Sequence, residues 1–420
     1  MPGAYKLCEA LFDTYSKLLP SVDIDGDKHS PAETLRGSIW RGRDCADLDS
    51  SVYPGRRPID NDKYRDSDCN GIYGINSTSG QSFEEELCGG SGARGIIYIG
   101  DSVGGHFHVP TAWFTPSELS PHILSNITYV VSNEFDWPDV GFATGFRNAT
   151  LMPKLIYDDK VQSLYLKLRN RNLCNHRDYQ NLARNGATSF DTLNYQESIS
   201  RNPLRDKPAI VIYSMVGNDV CNEKEDTLSH MTTKEQFYDN VMETLYFLES
   251  TLPPGSHVIL VGLIDGNVLY EAMAKRYHPL GILRKDLTYD DLYEWFNCME
   301  IGPCHGWMSA NDTLRKMTSK HATELSQVLK TITRAEKFTK FDVNFMPNPF
   351  QKVIYDWVLK GGQVYELIEP VDSLHPTQVT QSMIANSMWE YIEKNYPHVL
   401  GPVNTRNDLV RAIFQDQGGH

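Results

Sequence analysis

Three short runs of uninterrupted apolar residues limit what this chain can become: Gly95-Ile-Ile-Tyr-Ile-Gly100, Ala209-Ile-Val-Ile-Tyr-Ser-Met-Val216 and His257-Val-Ile-Leu-Val-Gly262. Each has the length of a strand, and none alternates apolar with polar residues, so each must be covered on both faces. Helical patterns at 234–251, 321–338 and 377–395 supply that cover. The expected architecture is α/β: a doubly wound, mainly parallel sheet flanked by helices. Ligands in such folds sit beyond the carboxyl ends of the strands, where Ser102 and Asn218 both fall.

Residues upstream read differently. Apolar groups at helical spacing over 4–19 predict a helix. From 21 to about 92, Asp-Gly, Pro-Gly and Asn-Gly turn chemistry replaces periodicity. The expected division is an N-terminal helix and acidic module over 1–92 and an α/β esterase domain over 93–420.

No apolar run in the 420 residues approaches the roughly 18–20 residues that span a bilayer, so no membrane-spanning segment is expected. The net charge of −14 argues against a broad nucleic-acid-binding surface. Eight cysteines occur with four Asn-x-Ser/Thr sequons at Asn76, Asn126, Asn148 and Asn311, which points to disulfides, glycosylation and the secretory pathway, whether secreted or lysosomal/vesicular. Pairing cannot be read from spacing. The start, Met-Pro-Gly-Ala-Tyr-Lys-Leu-Cys, lacks the apolar core of a signal peptide, so a secretion signal is expected on a longer precursor.

Gly100-Asp101-Ser102 follows the first apolar run directly. Alone it looks like the helix cap that often follows a strand. A serine nucleophile needs a base, an acid that orients the base, and donors for the oxyanion. Asp372-Ser-Leu-His375 offers the first two, with a separation that lets the carboxylate reach the imidazole of its own turn. Asn218 closes the second apolar run as an amide donor would, although an Asx-turn is the bland alternative. Asn181-Leu-Ala-Arg-Asn-Gly186 brings a glycine whose bare N–H can approach a substrate oxygen; Thr144-Gly145 ranks second because it lacks the preceding Asn block.

In this order the four blocks resemble the SGNH (GDSL) hydrolases. The resemblance implies Ser102 as nucleophile, His375 as general base and then acid, and Asp372 as its orienter. It implies Ser102 N–H, Gly186 N–H and the Asn218 amide as oxyanion donors. Longer segments, among them Arg36-Gly-Ser-Ile-Trp-Arg-Gly-Arg-Asp-Cys45, Cys174-Asn-His-Arg-Asp-Tyr-Gln-Asn181 and Asp416-Gln-Gly-Gly-His420, are similar to the branch of that family that removes secondary (acyloxyacyl) fatty acyl chains from the lipid A of lipopolysaccharide. That branch carries a saposin-like small subunit, disulfide-linked to the large one, whose six-Cys helical pattern is missing here; one of the eight cysteines would then bond a partner chain. Two other readings are a phospholipase or general acyl esterase, and a calcium-stapled lipid-binding protein.

Phe107, Trp113 and Phe114 could line an acyl groove or pack in the core. His106 and His108, two apart, read as structural or substrate-proximal groups rather than metal ligands.

Ten aspartates lie between positions 23 and 68. Asp23, Asp25 and Asp27, then Asp44, Asp47 and Asp49, then Asp60, Asp62, Asp66 and Asp68 with Asn70 space hard oxygens two or three apart in Gly-containing loops. Carboxylates this dense repel one another unless a cation joins them, and a Ca²⁺ ion wants six to eight such oxygens. No stretch completes a twelve-residue EF-hand loop. Calcium is expected as a structural staple, and the family resemblance implies the same.

Overall fold

The computed structural model describes residues 16–147 and 161–420. Most of the helix expected over 4–19, with Cys8 and the Asn148 sequon, lies outside the described residues.

Five parallel strands form the sheet: β1 (Gly95–Asp101), β2 (Tyr179–Arg184), β3 (Ala209–Ser214), β4 (Ser256–Val261) and β5 (Phe341–Met346), in the spatial order β2-β1-β3-β4-β5. The three apolar runs are β1, β3 and β4. They occupy the centre, where coverage on both faces is obligatory. The helices that matter below are α1 (Phe83–Cys88), α2 (Ser102–Gly105), α3 (Lys234–Thr251), α4 (Tyr289–Cys298), α5 (Asp312–Ala335), α6 (Phe350–Leu359) and α7 (Gln378–Asn395).

Side chains alternate across the strands, so each strand feeds two cores. Ile97, Ile99, Val211, Tyr213, Val258 and Leu260 pack under α3 and α5. Ile96, Tyr98, Ile210, Ile212, Ile259 and Val261 pack under α6 and α7. The helices expected at 234–251 and 377–395 agree with α3 and α7 within a residue. The third begins nine residues earlier than expected, at Asp312. There the Asn311 side chain accepts from Leu314 N (3.1 Å) and starts a first stretch that is largely exposed, so its apolar period is weak.

Residues 16–92 add no strand to this sheet, yet they are tied closely to it. Ile39 and Trp40 belong to the second core. Asn181 N of β2 donates to Trp40 O (2.7 Å). The disulfide Cys88–Cys174 joins α1 to the segment before β2, while Cys45–Cys69 closes a loop within the acidic region and Cys221–Cys304 ties the loop after β3 to the segment after α4. Among the described residues the remaining cysteine is Cys298, exposed at the end of α4. No helix among them is long and apolar enough to cross a membrane.

Candidate active site

The strand order reverses direction at β1, whose neighbours are β2 on one side and β3 on the other. A crevice opens beyond the carboxyl ends of strands at such a point. Asp101, the last residue of β1, caps α2: its Oδ1 accepts from Val103 N (3.1 Å) and its Oδ2 from Val216 N (2.7 Å), just past β3. The cap is thus Asp101, and Ser102 is the first helical residue. Burial pushes the Asp101 carboxyl up to about 6, and these backbone donors oppose the shift.

The tightness of this turn demands glycine. A Cβ on Gly104 would lie 1.8 Å from the Tyr98 ring. The Asn181 amide holds the same turn from β2, donating to Gly104 O (2.9 Å) and Thr144 Oγ1 (3.1 Å).

His375 arrives from the opposite end of the sequence. Its Nε2 lies 2.7 Å from Ser102 Oγ and its Nδ1 lies 3.0 Å from Asp372 Oδ2. Asp372 Oδ1 accepts from Leu374 N (2.8 Å) and His375 N (2.9 Å), an Asx-turn that folds the carboxylate back over its own loop. Ser373, buried, takes the left-handed backbone (φ 54°) that this turn requires. Burial alone would lower the His375 pKa, but the charge and hydrogen bond of Asp372 outweigh it and leave the imidazole above its ordinary value. Burial likewise pushes Asp372 up, and its contacts with His375 leave it below the usual carboxylate range. Each partner favours the charged form of the other.

Ser102 and His375 each keep 8% of their surface exposed, at the wall of a shared cleft. Asn218 lines the same cleft, and its Nδ2 donates to Ala187 O (3.0 Å), which ties the Gly186 loop to the end of β3. Gly186 is exposed, with φ +72°, and is not among the cleft-lining residues. Gly145 is differently placed: its N–H already donates to Gly141 O (3.0 Å).

The cleft wall is apolar, built by Val261, Ile264, Leu269, Trp307, Phe350 and Met388. These side chains come from four distant parts of the chain, so no local pattern announces them. The stretch weighed for this role from the sequence, Phe107, Trp113 and Phe114, does not line it. The left-handed backbone of His106 (φ 60°) turns the chain so that Phe107 packs on the His375 ring, with centroids 4.7 Å apart. Trp113 packs instead against Val130, Trp137, Val140 and Val161.

Sequence reasoning also missed Glu369. Its buried carboxylate lies 2.9 Å from His108 Nδ1, and its backbone N–H donates to His375 O (2.8 Å). The pair bridges the chain just after the Ser102 turn and the loop that carries His375. Nothing in the sequence relates positions 108 and 369. His106 is buried too, and burial lowers its pKa to about 3, so it is neutral at physiological pH.

The acidic residues fall into two sets. Ligand oxygens of Asp23, Asp25 and Asp27, and of Asp25, Asp44 and Asp47, lie within 4.8 Å of one another, as do those of Asp62, Asp66 and Asp68. Asp49 stands apart, paired with Arg65 and Ser51, and Asp60 is exposed outside both sets. Asn70 joins the second set through its amide, which donates to Asp68 Oδ2 (3.1 Å) and Glu84 Oε2 (2.9 Å).

A serine backed by imidazole and carboxylate at the switch point of a parallel sheet, beside an apolar cleft, defines a class of serine esterases, and the chain belongs to one such family: the GDSL-like lipase/acylhydrolase model matches residues 96–388. Within that class it groups with the acyloxyacyl hydrolases. It is 48% identical over 420 residues to acyloxyacyl hydrolase of Homo sapiens and, equally, to that of Mus musculus, matches that cover 100% of this chain and 72% of each relative. Among solved structures it is similar to a catalytic mutant of Axe2, an acetylxylan esterase from Geobacillus stearothermophilus, at 12% identity and a TM-score of 0.33, covering 72% of this chain and 95% of that one.

Proposed function

We propose that this ester hydrolase removes secondary fatty acyl chains from the lipid A of lipopolysaccharide by cleaving acyloxyacyl bonds through an acyl-enzyme on Ser102. The observation that carries the proposal is the hydrogen-bonded line Ser102–His375–Asp372 at the wall of an apolar cleft. Ser102 Oγ attacks the acyl carbon while His375 Nε2 takes its proton, and the imidazolium then protonates the departing hydroxy-acyl oxygen. Asp372 keeps Nδ1 protonated and stabilises the imidazolium. Water, deprotonated by the same Nε2, releases the fatty acid. The oxyanion is held by Ser102 N–H and the Asn218 amide hydrogen not used by Ala187, while Gly186, outside the cleft lining, is held near by the Asn218–Ala187 bond in its loop. The acyl chain lies along the apolar wall, which contributes binding in proportion to the apolar area covered.

Calcium binding at the acidic loops belongs to the same reading. In the first set the Oδ2 atoms of Asp25, Asp27 and Asp44 are buried without hydrogen-bond partners, while the sister oxygens of the same residues accept backbone N–H groups of Asp27, His29 and Ala46. Burial pushes Asp27 up to about 8 and Asp44 up to about 6, with neighbouring carboxylates adding to the shift. Buried carboxylate oxygens without hydrogen-bond partners, set among further carboxylates, fit a hard cation held by Asp23, Asp25, Asp27, Asp44 and Asp47. In the second set Lys207 Nζ pairs with Asp68, yet burial and neighbouring carboxylates still push Asp66 up to about 8 and Asp62 up to about 6, so Asp62, Asp66, Asp68 and Asn70 offer a second such site. Bound calcium would supply charge neutralisation and a crosslink between loops, and none of these residues lines the cleft.

A saposin-like small subunit is the proposed partner. Cys298 offers an exposed thiol for the linking disulfide, beside exposed Trp295, Met299 and Ile301. Three disulfides and the sequons support a secreted or lysosomal, glycosylated enzyme.

The test is product analysis on purified lipopolysaccharide in parallel with diacyl phospholipid. Release of secondary acyl chains from lipid A in preference to glycerol-linked chains supports the reading; the opposite preference assigns the site to phospholipids.

A further inference from the structure

The end of the sheet remote from Ser102 carries a second cluster of chemistry-bearing side chains. His257 is the second residue of β4, Asp342 the second residue of β5, and His398 lies in the turn that follows α7. Both rings point at one carboxylate: His257 Nδ1 pairs with Asp342 Oδ1, and His398 Nε2 lies 2.8 Å from Asp342 Oδ2. The two ring centroids are 5.4 Å apart at an interplanar angle of 78°. One donor atom from each of the three residues falls within 4.8 Å of the others. We propose that His257, Asp342 and His398 form a divalent transition-metal site, with Zn²⁺ the favoured occupant, that clamps β4, β5 and the end of α7 together.

The donor set decides the metal. Two imidazole nitrogens and one carboxylate suit zinc, copper or nickel, whereas calcium takes oxygen ligands alone. Three protein ligands leave positions for water, and the exposure of the Asp342 and His398 side chains (41% and 56%) gives water access. The ligands are also braced. Asn344 Nδ2 donates to Asp342 Oδ2 (2.8 Å), which orients the carboxylate. Tyr396 OH donates to Phe345 O (2.8 Å), and Arg94 Nη1 donates to Val399 O (2.8 Å), so the residues on either side of His398 are tied to β5 and to the segment that enters β1. That arginine also places a positive charge near Asp342, which tempers the affinity.

The site is structural. Val261, which lines the catalytic cleft, is four residues along β4 from His257, about 13 Å at the rise of a strand. A metal at His257 therefore cannot reach the reacting ester. It joins three segments that otherwise meet through hydrogen bonds, and it secures the far end of the helix whose first turn follows His375.

The experiment uses the full chain, prepared without a polyhistidine tag, stripped with chelator and then saturated with Ca²⁺ so that the oxygen-only loops are filled. Zn²⁺ is titrated calorimetrically, and melting is followed in parallel, for wild type, His398→Ala and Asp342→Asn. The expected result is one equivalent bound by wild type with a rise in melting temperature. Each variant should bind at least about 10–100-fold more weakly and lose the rise. Ester hydrolysis without zinc should match wild type in both variants, which also shows that they fold. No binding at 100 micromolar Zn²⁺ (on the order of a weak site's Kd), or equal binding by all three proteins, would overturn the proposal and leave a hydrogen-bonded His-Asp-His network.

Discussion

His375 Nε2 stands 2.7 Å from Ser102 Oγ although 273 residues separate them in the chain. Ser102→Ala removes the proposed nucleophile but almost no packing, since the side chain lies at a cleft wall. Fatty-acid release from lipopolysaccharide should fall by at least about 10³-fold with the melting temperature unchanged. Release within tenfold of wild type would sink the acyl-enzyme mechanism.

Asp372 holds the His375 imidazole above its ordinary value, so kcat/KM for the free enzyme should rise with pH through a value above 6.5. In Asp372→Asn the raising charge is gone while burial remains. The rising limb should move to lower pH, and the rate at its plateau should drop by about 10³–10⁴-fold. An unshifted limb would show that another group titrates there.

Asn218→Ala tests the oxyanion assignment apart from the triad. The loss of one donor costs about 3–4 kcal/mol in the transition state, so kcat should fall by about 10²–10³-fold. Stability should fall by only about 1 kcal/mol, from the lost bond to Ala187 O. Steady-state kinetics with a long-chain and a short-chain ester, together with a melt, separate the two effects, and a change confined to KM argues for a binding role instead.

The acidic loops predict a sign for stability against pH. Asp27 and Asp44 have folded values raised to about 8 and about 6 from 3.8, so without a cation the folded state binds extra protons. Stability from these groups is full below 3.8 and is lost as pH rises through 6 and 8. In EDTA the melting temperature should therefore fall between about pH 5 and about pH 8, and added Ca²⁺ should restore more at the upper end. A calcium effect on kcat with none on melting would reverse the structural assignment.

The local signals were the legible ones. Continuous apolar runs announced β1, β3 and β4 because burial on both faces leaves no polar alternation, and the Asp372–His375 spacing announced a turn because an Asx-turn closes within three residues. The cleft wall was not legible, since Val261, Leu269, Trp307 and Phe350 meet only through strand order. Nor was the Glu369–His108 bridge, or the neutralisation of Asp68 by Lys207.

By itself the sequence determined the fold class and the order of the Ser, Gly, Asn and Asp-x-x-His blocks, because periodicity and short-range hydrogen bonding are properties of neighbouring residues. Only the tertiary structure decided which cysteines pair, which aspartates face one another, that Phe107 packs on His375 rather than lining the cleft, and that His257, Asp342 and His398 converge. Those facts depend on which strands lie side by side, and strand order is set by the packing of the whole chain rather than by any window of it.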